Sequence, residues 1–484
     1  MATLPGVNVQ ILDGNLGVIP PGGAGVHVKI GAATSGTLNV MTSVTQVRQV
    51  TQNFGGGPLT GALAVALIEA SPIYAIRANS SVPGAASAVT KVGTGTSVAT
   101  LSGTPTDAHT YSLAITRPGT VASGNAAFVL TLDGTALTER AIPVSGIYDT
   151  GTGVTVTFGT GSVVVGDTYS FTGTAPAIAL TDLVDSFNVA LADSRPFRFI
   201  HVVGAVTPTI AVAIDTLLQS AQTRYRYTYA QLEARGPAAG ETEAQWIAAL
   251  LTEYSNFSSP LVAIYAGDVA IYNPLTRNTE RRSLAWSGSA RRATRPLGED
   301  AGRVRTGPLL AISGLFHDED AVPGLEAGRF ITARTLAGLQ GYYLTDGPLM
   351  STTGSDFDSL QRREVMDEAC RIGRRAALNY LGESIPVDDL TGHIIEYVAV
   401  AFEDYVEGEI RAALGSQISG VDVQVDRSIN ILSTARLEFT VGVVPLGVAR
   451  YITMRLGYSN PYLKAQQAAT ATPTISGAQP GGTR

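Results

Sequence analysis

The sequence contains a single cysteine, Cys370. No disulfide can form within the chain, so packing and hydrogen bonding must hold the fold together. No run is apolar over the length of a bilayer, because the longest mainly apolar run, residues 59–68, ends at Glu69. Residues 1–5 have neither the charged segment nor the apolar core of a signal peptide. We therefore expect a protein that is made in a cytosol and does not insert directly into a membrane.

Lysine is scarce, since only Lys29, Lys91 and Lys464 occur among 33 basic residues. A GC-rich genome would explain this bias. Arginine also suits protein interfaces, because its planar group binds a carboxylate through two hydrogen bonds. The formal net charge of −7 argues against a protein that wraps nucleic acid.

Motifs for catalysis are also lacking. The chain has no P-loop and no Gly-x-Ser-x-Gly elbow, and none of its five histidines lies three to five residues from another. Asp149-Thr150-Gly151 matches the aspartic-protease tripeptide, but that chemistry needs two carboxylates, and an ordinary turn explains the tripeptide better. The acidic run at 317–320 is predicted to be a solvated turn rather than a cation site. Cys370 is predicted to be a core residue. We expect no enzyme activity, cofactor or metal.

The first strand pattern has no partner nearby in the sequence. Val7, Val9 and Ile11 alternate with polar residues, and a stretch rich in glycine and proline follows up to residue 25. The backbone groups of such a strand must be satisfied elsewhere. The strand therefore pairs within its own domain or with another chain, and residues 1–25 are predicted to be an arm and hinge.

Strand and helix patterns alternate over residues 26–82 and again over 177–350, which predicts an α/β middle domain with parallel crossovers. The predicted strands are 26–33, 73–78, 197–203, 225–233 and 261–266, and the predicted helices are 59–70, 210–222 and 241–255, the last capped by Thr242. Residues 277–305 carry eight arginines and little periodicity. They predict an exposed, irregular segment in which Arg281, Arg282, Arg291 and Arg292 face a partner. Nucleic acid and an acidic protein both fit such a segment, and we favour an acidic protein because few aromatic residues are present for base stacking.

Residues 83–176 interrupt this pattern. They contain eight charged residues in 94, and short alternating runs rich in threonine, valine and serine are separated by turn signals such as Asp133-Gly134. Several short strands at this spacing predict an antiparallel β-sandwich. Because domain ends often lie close together, we interpret this segment as an insertion into the α/β domain.

The last part of the chain predicts a domain of helices and a small sheet, residues 351–464. Apolar stripes predict helices at 356–381 and 390–414, and alternation predicts strands at 421–427, 435–444 and 451–456. In the middle strand Leu437, Phe439, Val441 and Val443 alternate with Glu438, Thr440 and Gly442. Residues 465–484 lack periodicity and are predicted to be a loosely ordered tail.

The order of these elements resembles the contractile tail sheath proteins. The opening Pro5-Gly6-Val7 is similar to their N-terminal arm, and the two long helices followed by 437–447 and Tyr451-Ile452-Thr453-Met454 are similar to their C-terminal domain. The insert is similar to those of a divergent branch of phage sheaths. The resemblance implies an α/β and α+β multidomain fold whose terminal arms exchange strands between subunits. Val7, Val9 and Ile11 would pair with a C-terminal sheet that includes Leu437, Phe439, Val441, Val443, Tyr451 and Ile452.

The resemblance also implies partners. Subunits would form a helical homo-oligomer of stacked hexameric rings around a tail tube protein, and would meet baseplate and tail-terminator proteins. The assembly would be part of a phage tail that forms in the host bacterial cytoplasm, with the insert facing outward. A β-rich surface adhesin or glycan-binding protein is the alternative, and it predicts exposed aromatic side chains on the insert. An enzyme with an α/β substrate domain is a further alternative, which would need a convergent polar site.

Overall fold

The structure, a computed structural model, describes residues 25–458. The first part of this range contributes three strands to a central sheet, with two helices beside it. These elements are β1 (Val28–Gly31), β2 (Met41–Val44), α1 (Val47–Phe54), α2 (Pro58–Ala66) and β3 (Ile73–Arg77). Strands β1 and β3 are parallel neighbours, whereas β2 is antiparallel to β3 and ends the sheet on that side. The predicted strands at 26–33 and 73–78 and the helix after Pro58 are confirmed.

Short antiparallel strands make up the next segment. They are β4 (Thr90–Val92), β5 (Ala99–Gly103), β6 (His109–Arg117), β7 (Gly119–Thr120), β8 (Ala127–Leu132), β9 (Thr135–Ala136), β10 (Arg140–Ala141), β11 (Ile147–Asp149), β12 (Val154–Phe158), β13 (Ser162–Val163) and β14 (Thr168–Gly173). One sheet has the order β10-β8-β6-β14-β4 with β9 beside β8, and a second has the order β11-β12-β5. Strands β7 and β13 form a separate pair.

Aromatic rings from the two sheets meet in a core that belongs to this segment. The Phe158 ring of β12 lies 5.8 Å from Phe128 and 5.3 Å from Tyr169, which belong to the larger sheet. The surrounding buried side chains also come from this segment, among them Leu113, Val154 and Val156. The segment thus buries its own apolar surface while both its ends lie next to elements of the central sheet.

The chain then returns to the central sheet. The elements are α3 (Leu180–Ala192), β15 (Phe199–Ala205), α4 (Pro208–Thr223), β16 (Tyr229–Glu233), α5 (Glu243–Glu253), β17 (Val262–Tyr265), β18 (Asp268–Asn273), β19 (Asn278–Ser283), α6 (Ala285–Thr294), β20 (Ile312–Leu315), β21 (Ala333–Arg334) and β22 (Tyr343–Leu344). The sheet order is β17-β16-β15-β1-β3-β2, and all neighbours up to β3 are parallel. Strands β19, β18 and β20 form a separate antiparallel sheet.

Helices cover both faces of the central sheet. Helices α3, α4 and α5 pack on one face, and α1, α2 and α6 pack on the other. All five residues of β16 are buried, as expected for a parallel strand covered on both sides. Helix α2 is buried along its whole length, and a Cβ atom at Gly61 would lie 2.8 Å from the Trp286 ring of α6. Glycine at this position therefore allows the two helices to approach closely.

Helix α5 begins where the sequence predicts. The Thr242 hydroxyl accepts the backbone N–H of Gln245 at 3.3 Å, and the Gln245 side chain accepts the backbone N–H of Thr242 at 2.9 Å. This reciprocal pair is a capping box, which satisfies two N–H groups that the first turn leaves unpaired. The cap predicted at Thr242 is confirmed.

A buried polar chain lies on the face of the sheet covered by α6. The Lys29 Nζ atom donates to Nδ1 of His201 at 2.7 Å and to Oγ of Ser289 at 2.8 Å, and Nε2 of His201 lies 3.0 Å from Oε1 of Glu233. Burial lowers the pKa of His201 well below its ordinary value. A neutral imidazole that accepts from Lys29 at Nδ1 and donates to Glu233 from Nε2 satisfies both contacts with one tautomer.

Burial also shifts the pKa values of Lys29 and Glu233, the two groups at the ends of this hydrogen-bonded series. It lowers the pKa of Lys29 to about 7, although the charge of Glu233 opposes the change. It raises the pKa of Glu233 to about 8, against a hydrogen bond from the Gly204 backbone and the charge of Lys29. Both groups lose hydration in the protein interior, which disfavours their charged forms.

The C-terminal part packs helices against a two-stranded sheet. Its elements are α7 (Leu360–Leu378), α8 (Glu396–Leu414), β23 (Ile418–Val425), α9 (Ile431–Thr434) and β24 (Phe439–Pro445). The two predicted long helices and the first two predicted strands are confirmed; the helices and β24 are shorter than predicted, whereas β23 begins three residues earlier and ends two residues earlier. Buried residues of α7, α8 and β23 form one core, which includes Val365, Phe402, Ile410 and Val423.

A buried carboxylate joins α7 to the central sheet. Glu364 of α7 binds the guanidinium groups of Arg198 and Arg292, and its Oε1 atom accepts the Tyr229 hydroxyl at 2.5 Å. Burial disfavours the Glu364 charge, but Arg198 and Arg292 outweigh burial and lower the pKa of this carboxylate. Arg198 also donates to the carbonyls of Ala293 and Arg295 at 2.8 Å. One carboxylate therefore holds together α7, α6 and the start of two strands.

We predict that Glu364→Gln lowers the free energy of unfolding by about 3–5 kcal/mol, because it leaves two buried guanidinium groups without a counter-charge. Urea unfolding followed by tryptophan fluorescence measures this, since both tryptophans, Trp246 and Trp286, are buried in the α/β part. The control is Glu383→Gln at an exposed position, which should change the free energy by less than about 0.5 kcal/mol. Equal effects of the two substitutions would contradict the role of Glu364.

A second prediction concerns pH. Since the Glu233 pKa rises from 4.5 to about 8 on folding, the folded chain holds the extra proton, and the Glu233 contribution to stability falls as pH rises from 4.5 to 8. The Lys29 pKa falls from 10.5 to about 7, so its contribution to stability increases as pH rises from 7 to 10.5. Urea midpoints between pH 5 and pH 10 should therefore fall less over the lower window in Glu233→Gln and rise less over the upper window in Lys29→Met. Profiles parallel to wild type would refute this assignment.

Candidate functional site

The small C-terminal sheet lacks a third strand, although α8 already occupies part of the β23 edge: the Val425 N–H donates to Glu403 at 2.6 Å and the Val421 carbonyl accepts from Arg411 at 3.3 Å. Strands β23 and β24 pair along their length, from Val425 opposite Phe439 to Ile418 opposite Pro445. Within residues 25–458, neither strand has a further strand partner. An isolated two-stranded sheet is marginally stable, and unpaired strand edges offer N–H and C=O groups to another strand. The β24 edge therefore has no further strand partner among the described residues.

The apolar face of β24 is turned toward its own helices. Leu437, Phe439, Val441 and Val443 are partly buried and pack on the core of α7 and α8. The Phe439 ring meets Phe402 of α8 edge-on, with centroids 5.1 Å apart. Because these predicted interface residues contact helices of the same chain, what β24 leaves available is mainly its backbone edge.

A charged clamp holds β23 against α8. Arg427, just after β23, binds both oxygens of Glu396 at 2.6 and 2.9 Å and both oxygens of Glu403 at 2.8 and 3.0 Å. Hydrogen bonding to Arg427 lowers the pKa of both carboxyl groups. Glu403 also accepts the Val425 backbone N–H at 2.6 Å. The end of the sheet is thus tied to the middle of α8 by paired hydrogen bonds.

Residues 447–484 separate from the rest as a second unit. Its described part, residues 447–458, contains no helix or strand, so the predicted strand at 451–456 is wrong for the single chain. Tyr451 and Ile452 are 92% and 84% exposed, and Met454 and Leu456 are similarly exposed. A strand needs a hydrogen-bonded partner, and this segment has none within the described chain. The other predicted arm residues, Val7, Val9 and Ile11, lie outside the described residues.

The arginine segment differs from its prediction. Residues 277–305 contain β19 and α6 rather than an irregular loop. Arg282, Arg291 and Arg292 are buried, and only Arg281 of the four predicted partner-facing residues is substantially exposed, with 47% of its side chain accessible. The prediction of an exposed segment is wrong because distant carboxylates, including Glu364, and backbone carbonyls satisfy these guanidinium groups inside the fold.

Arg282 joins the segment 83–176 to the α/β part. Its guanidinium binds both oxygens of Asp107 at 3.3 and 3.1 Å and the Ala108 carbonyl at 2.9 Å, and it stacks 5.2 Å from the Trp286 ring. Burial raises the pKa of Asp107, and the charge of Arg282 opposes that rise. The sequence gives no sign of this contact, because Arg282 and Asp107 are 175 positions apart.

A cleft of about 430 Å³ lies between this segment and the carboxyl ends of β15 and β16. Its polar side chains are paired with each other: His109 lies 2.6 Å from Asp133, and Arg281 lies 2.8 Å from Asp268. Glu233 also lines the cleft, and its carboxyl group is hydrogen-bonded to the buried His201. Among residues 25–458, no group of three or more potential ligand side chains could hold a metal ion.

The remaining sequence motifs have structural roles. Asp149 accepts the Gly151 backbone N–H at 2.9 Å in the turn between β11 and β12. Cys370 is partly buried, and burial raises the pKa of its thiol. No helix among the described residues is long and apolar enough to cross a membrane.

The run at 317–320 is not the solvated turn that the sequence predicts. His317 and Glu319 are buried. His317 Nδ1 lies 2.7 Å from Glu243 and Nε2 lies 2.9 Å from Glu319. Burial would lower the pKa of His317, but hydrogen bonds to Glu319 and Glu243 outweigh it and raise that pKa. The histidine therefore ties this loop to the start of α5.

Solved structures of contractile assemblies share this fold. A sheath complex of an extracellular contractile injection system, PVC, in the contracted state matches with a TM-score of 0.54 and 10% identity over 95% of this chain and 98% of that chain. A chain of the anti-feeding prophage baseplate in the contracted state matches with a TM-score of 0.50 and 13% identity over 94% and 99%. A six-fold symmetrised baseplate of the same prophage matches with a TM-score of 0.50 and 10% identity over 95% and 100%. At this identity the likeness shows the fold, which is that of contractile sheath proteins.

Family comparison covers nearly all of the sequence. No curated protein matches the chain. Residues 4–348 match the family described as DUF2586, N-terminal domain, and residues 356–463 match DUF2586, C-terminal domain. The boundary between the two matches falls just before α7, where Glu364 joins the helix to the central sheet. The chain belongs to the DUF2586 family.

Proposed function

We propose that this protein is the structural subunit of a contractile tail sheath, which polymerises around an inner tube and contracts to drive that tube through a target envelope. The observation that carries the proposal is the two-stranded β23–β24 sheet, which has no third strand within residues 25–458 and occurs in a chain with the sheath fold. The exposed apolar residues of 447–458 support it, because this segment has strand-like alternation and no strand partner within residues 25–458.

Strand addition would link the subunits. The C-terminal segment with Tyr451 and Ile452 and the arm with Val7, Val9 and Ile11 would each add to a β23–β24 sheet of a neighbouring copy. Each main-chain hydrogen bond contributes about 0.5–1.5 kcal/mol net, so a few strands give a contact that persists while subunits move. The glycine- and proline-rich residues up to 25 would bend as stacked hexameric rings rotate and repack.

The partners follow from this role. The sheath would enclose a tail tube protein and meet baseplate and terminator proteins at its ends, within a phage tail or related injection system assembled in the bacterial cytoplasm. Contraction would draw on energy stored during assembly rather than on catalysis. We place the segment 83–176 on the outside of the tube, because a compact β-domain on the inner side would obstruct sliding.

The surface of the segment 83–176 does not favour the adhesin alternative. An aromatic sugar-binding surface needs exposed rings, but Tyr111, Phe128, Phe158, Tyr169 and Phe171 are all buried. Tyr148, the remaining aromatic residue of the segment, is partly buried against Phe128, with ring centroids 4.8 Å apart. The rings therefore stabilise the core of the segment and leave its surface without an aromatic platform.

Removal of either terminal segment should abolish tube formation and leave a folded chain. A chain that ends after Leu446 retains the complete first unit, so its urea midpoint should match wild type, whereas electron microscopy should show dispersed particles. Deletion of residues 1–20 should have the same effect on assembly. The control is a chain that ends after Lys464, which keeps the exposed strand-like segment and should still form tubes. Normal tubes from either truncated chain would contradict the strand-addition mechanism for that end.

Replacement of residues 83–176 by a short glycine-serine linker should preserve tube formation, because this segment has its own core and its ends lie beside the central sheet. Asp107 leaves with the segment, but Arg282 keeps Glu280 as a partner at 3.0 Å, so Arg282 is retained in order that neither buried charge is left unpaired. Cryo-electron microscopy should show tubes of smaller outer diameter. Loss of all soluble protein, or an unchanged outer diameter, would contradict the outward position of an independent insert.

A further inference from the structure

An apolar pocket of about 270 Å³ lies in the C-terminal part, between the end of α7, the loop that follows it and the first two turns of α8. Apolar and aromatic side chains form most of its wall. They include Tyr380, Ile385, Ile394, Val398, Phe402 and Leu437. Glu383 and Ser384 line one side of the pocket and are exposed, so the pocket is accessible from solvent there.

Aromatic contacts fix the shape of this pocket. The Tyr380 ring meets Phe402 edge-on, with centroids 4.8 Å apart, and lies 5.7 Å from the Tyr405 ring. The Asn379 amide donates to the Tyr405 hydroxyl at 2.6 Å. The pocket is therefore preformed in the single chain, which reduces the ordering that binding would require. Small-molecule sites usually have about 300–1,000 Å³, so a pocket of this size is better suited to a single side chain.

The pocket lies at one end of the β24 edge. Leu437, which lines it, comes two residues before Phe439, the first residue of β24, and packs on the same helical core. Side chains of α8 occupy part of the β23 edge, whereas the β24 edge has no further strand partner within residues 25–458. A strand added to β24 would therefore pass Phe439 and continue toward Leu437 and the pocket.

The segment 447–458 carries apolar side chains that alternate like those of such a strand. Ile452, Met454 and Leu456 are 84%, 79% and 89% exposed. In an extended chain every second side chain lies on the same side, so these three would form one apolar face. The residues between them are Thr453 and Arg455. Adjoining apolar side chains with this exposure mark a surface that is covered in an assembly.

The apolar face of the segment matches the face of β24 that covers the helices. Neighbouring strands of a sheet direct opposed side chains to the same side. If the segment adds to β24 with its apolar face toward α7, Ile452, Met454 and Leu456 extend the row formed by Leu437 and Phe439. The segment is also longer than the seven residues of β24, so part of it extends past the end of that strand.

We propose that this pocket receives one apolar side chain of the series Ile452, Met454 and Leu456 from a second copy of this chain. The contact rests on the proposed sheath function and assigns the pocket as the site that sets the register of the added strand. Main-chain hydrogen bonds accept many sequences, whereas a side-chain pocket discriminates among them. A shift of one residue would direct Thr453 or Arg455 toward the apolar wall and is disfavoured.

Two valines of α8 provide a matched test in the full-length chain. Val398 lines the pocket, whereas Val400 lies two residues further on, is 38% exposed and does not line it. Val398→Glu should weaken self-association in sedimentation velocity by about tenfold or more, because a carboxylate then occupies an apolar site. Val400→Glu should associate like wild type. Urea unfolding of both variants reports whether either substitution destabilises the fold.

Disulfide mapping identifies the side chain that enters the pocket. All chains carry Cys370→Ala, so that no native thiol remains. One chain carries Ser384→Cys at the rim, and it is assembled with a second chain that has a cysteine at 452, 453, 454, 455 or 456. A disulfide requires Cα atoms within about 7 Å. After oxidation, mass spectrometry should find links between chains at one or more of 452, 454 and 456, and markedly fewer at 453 and 455.

The outcomes separate the pocket contact from the sheath role. If wild type forms tubes but the two valine variants associate alike, or if the links show no alternation, the pocket contact is refuted and the sheath role stands. If Val398→Glu is destabilised relative to Val400→Glu, the pattern of links decides. A chain that carries both cysteines and forms only internal links would refute the second copy as the partner. If wild type neither associates nor forms links, the sheath proposal and the pocket contact fail together.

Discussion

The buried Glu364 carboxylate connects the parts of this protein that assembly would require to move together. It lies between Arg198, just before β15, and Arg292 of α6, and it belongs to α7, the first helix of the C-terminal part. A buried charge is stable only when its counter-charges and hydrogen bonds are present. This requirement fixes the position of α7 on the central sheet. The β23–β24 sheet packs on α7 and α8, so its position relative to the central sheet also depends on this carboxylate.

Arginine side chains make the contacts that join several separate parts of this fold. Arg282 holds the segment 83–176 through Asp107, Arg292 holds α7 through Glu364, and Arg427 holds β23 through Glu396 and Glu403. Each contact uses the planar guanidinium group to satisfy carboxylate or carbonyl oxygens in parallel, which a lysine cannot do. The scarcity of lysine is thus compatible with a fold whose separate parts are joined by guanidinium–carboxylate pairs, whatever the composition of the genome.

The elements themselves were largely predictable. Pro58 at the start of α2, the Thr242 cap of α5 and the apolar stripes of α7 and α8 are local signals, and the structure places helices at all of them. The predictions were wrong where a segment's structure depends on groups outside that segment. Residues 277–305 look polar and irregular, yet Arg291 and Arg292 are buried, because Glu364, 72 residues beyond Arg292, and backbone carbonyls satisfy their guanidinium groups inside the fold. Residues 451–456 alternate like a strand but form none, because alternation cannot supply a pairing edge.

The sequence by itself determined the alternation of strands and helices, the interruption by short β-strands at 83–176 and the apolar faces of the C-terminal helices, because periodicity and capping act over a few residues. The tertiary structure decided which charges are internal and which remain at the surface. Lys29 and Glu364 have no local feature that marks them as buried, whereas Arg374 and Asp404, of the same residue classes, are exposed. Burial of a charge depends on partners that only the folded chain brings within hydrogen-bonding distance.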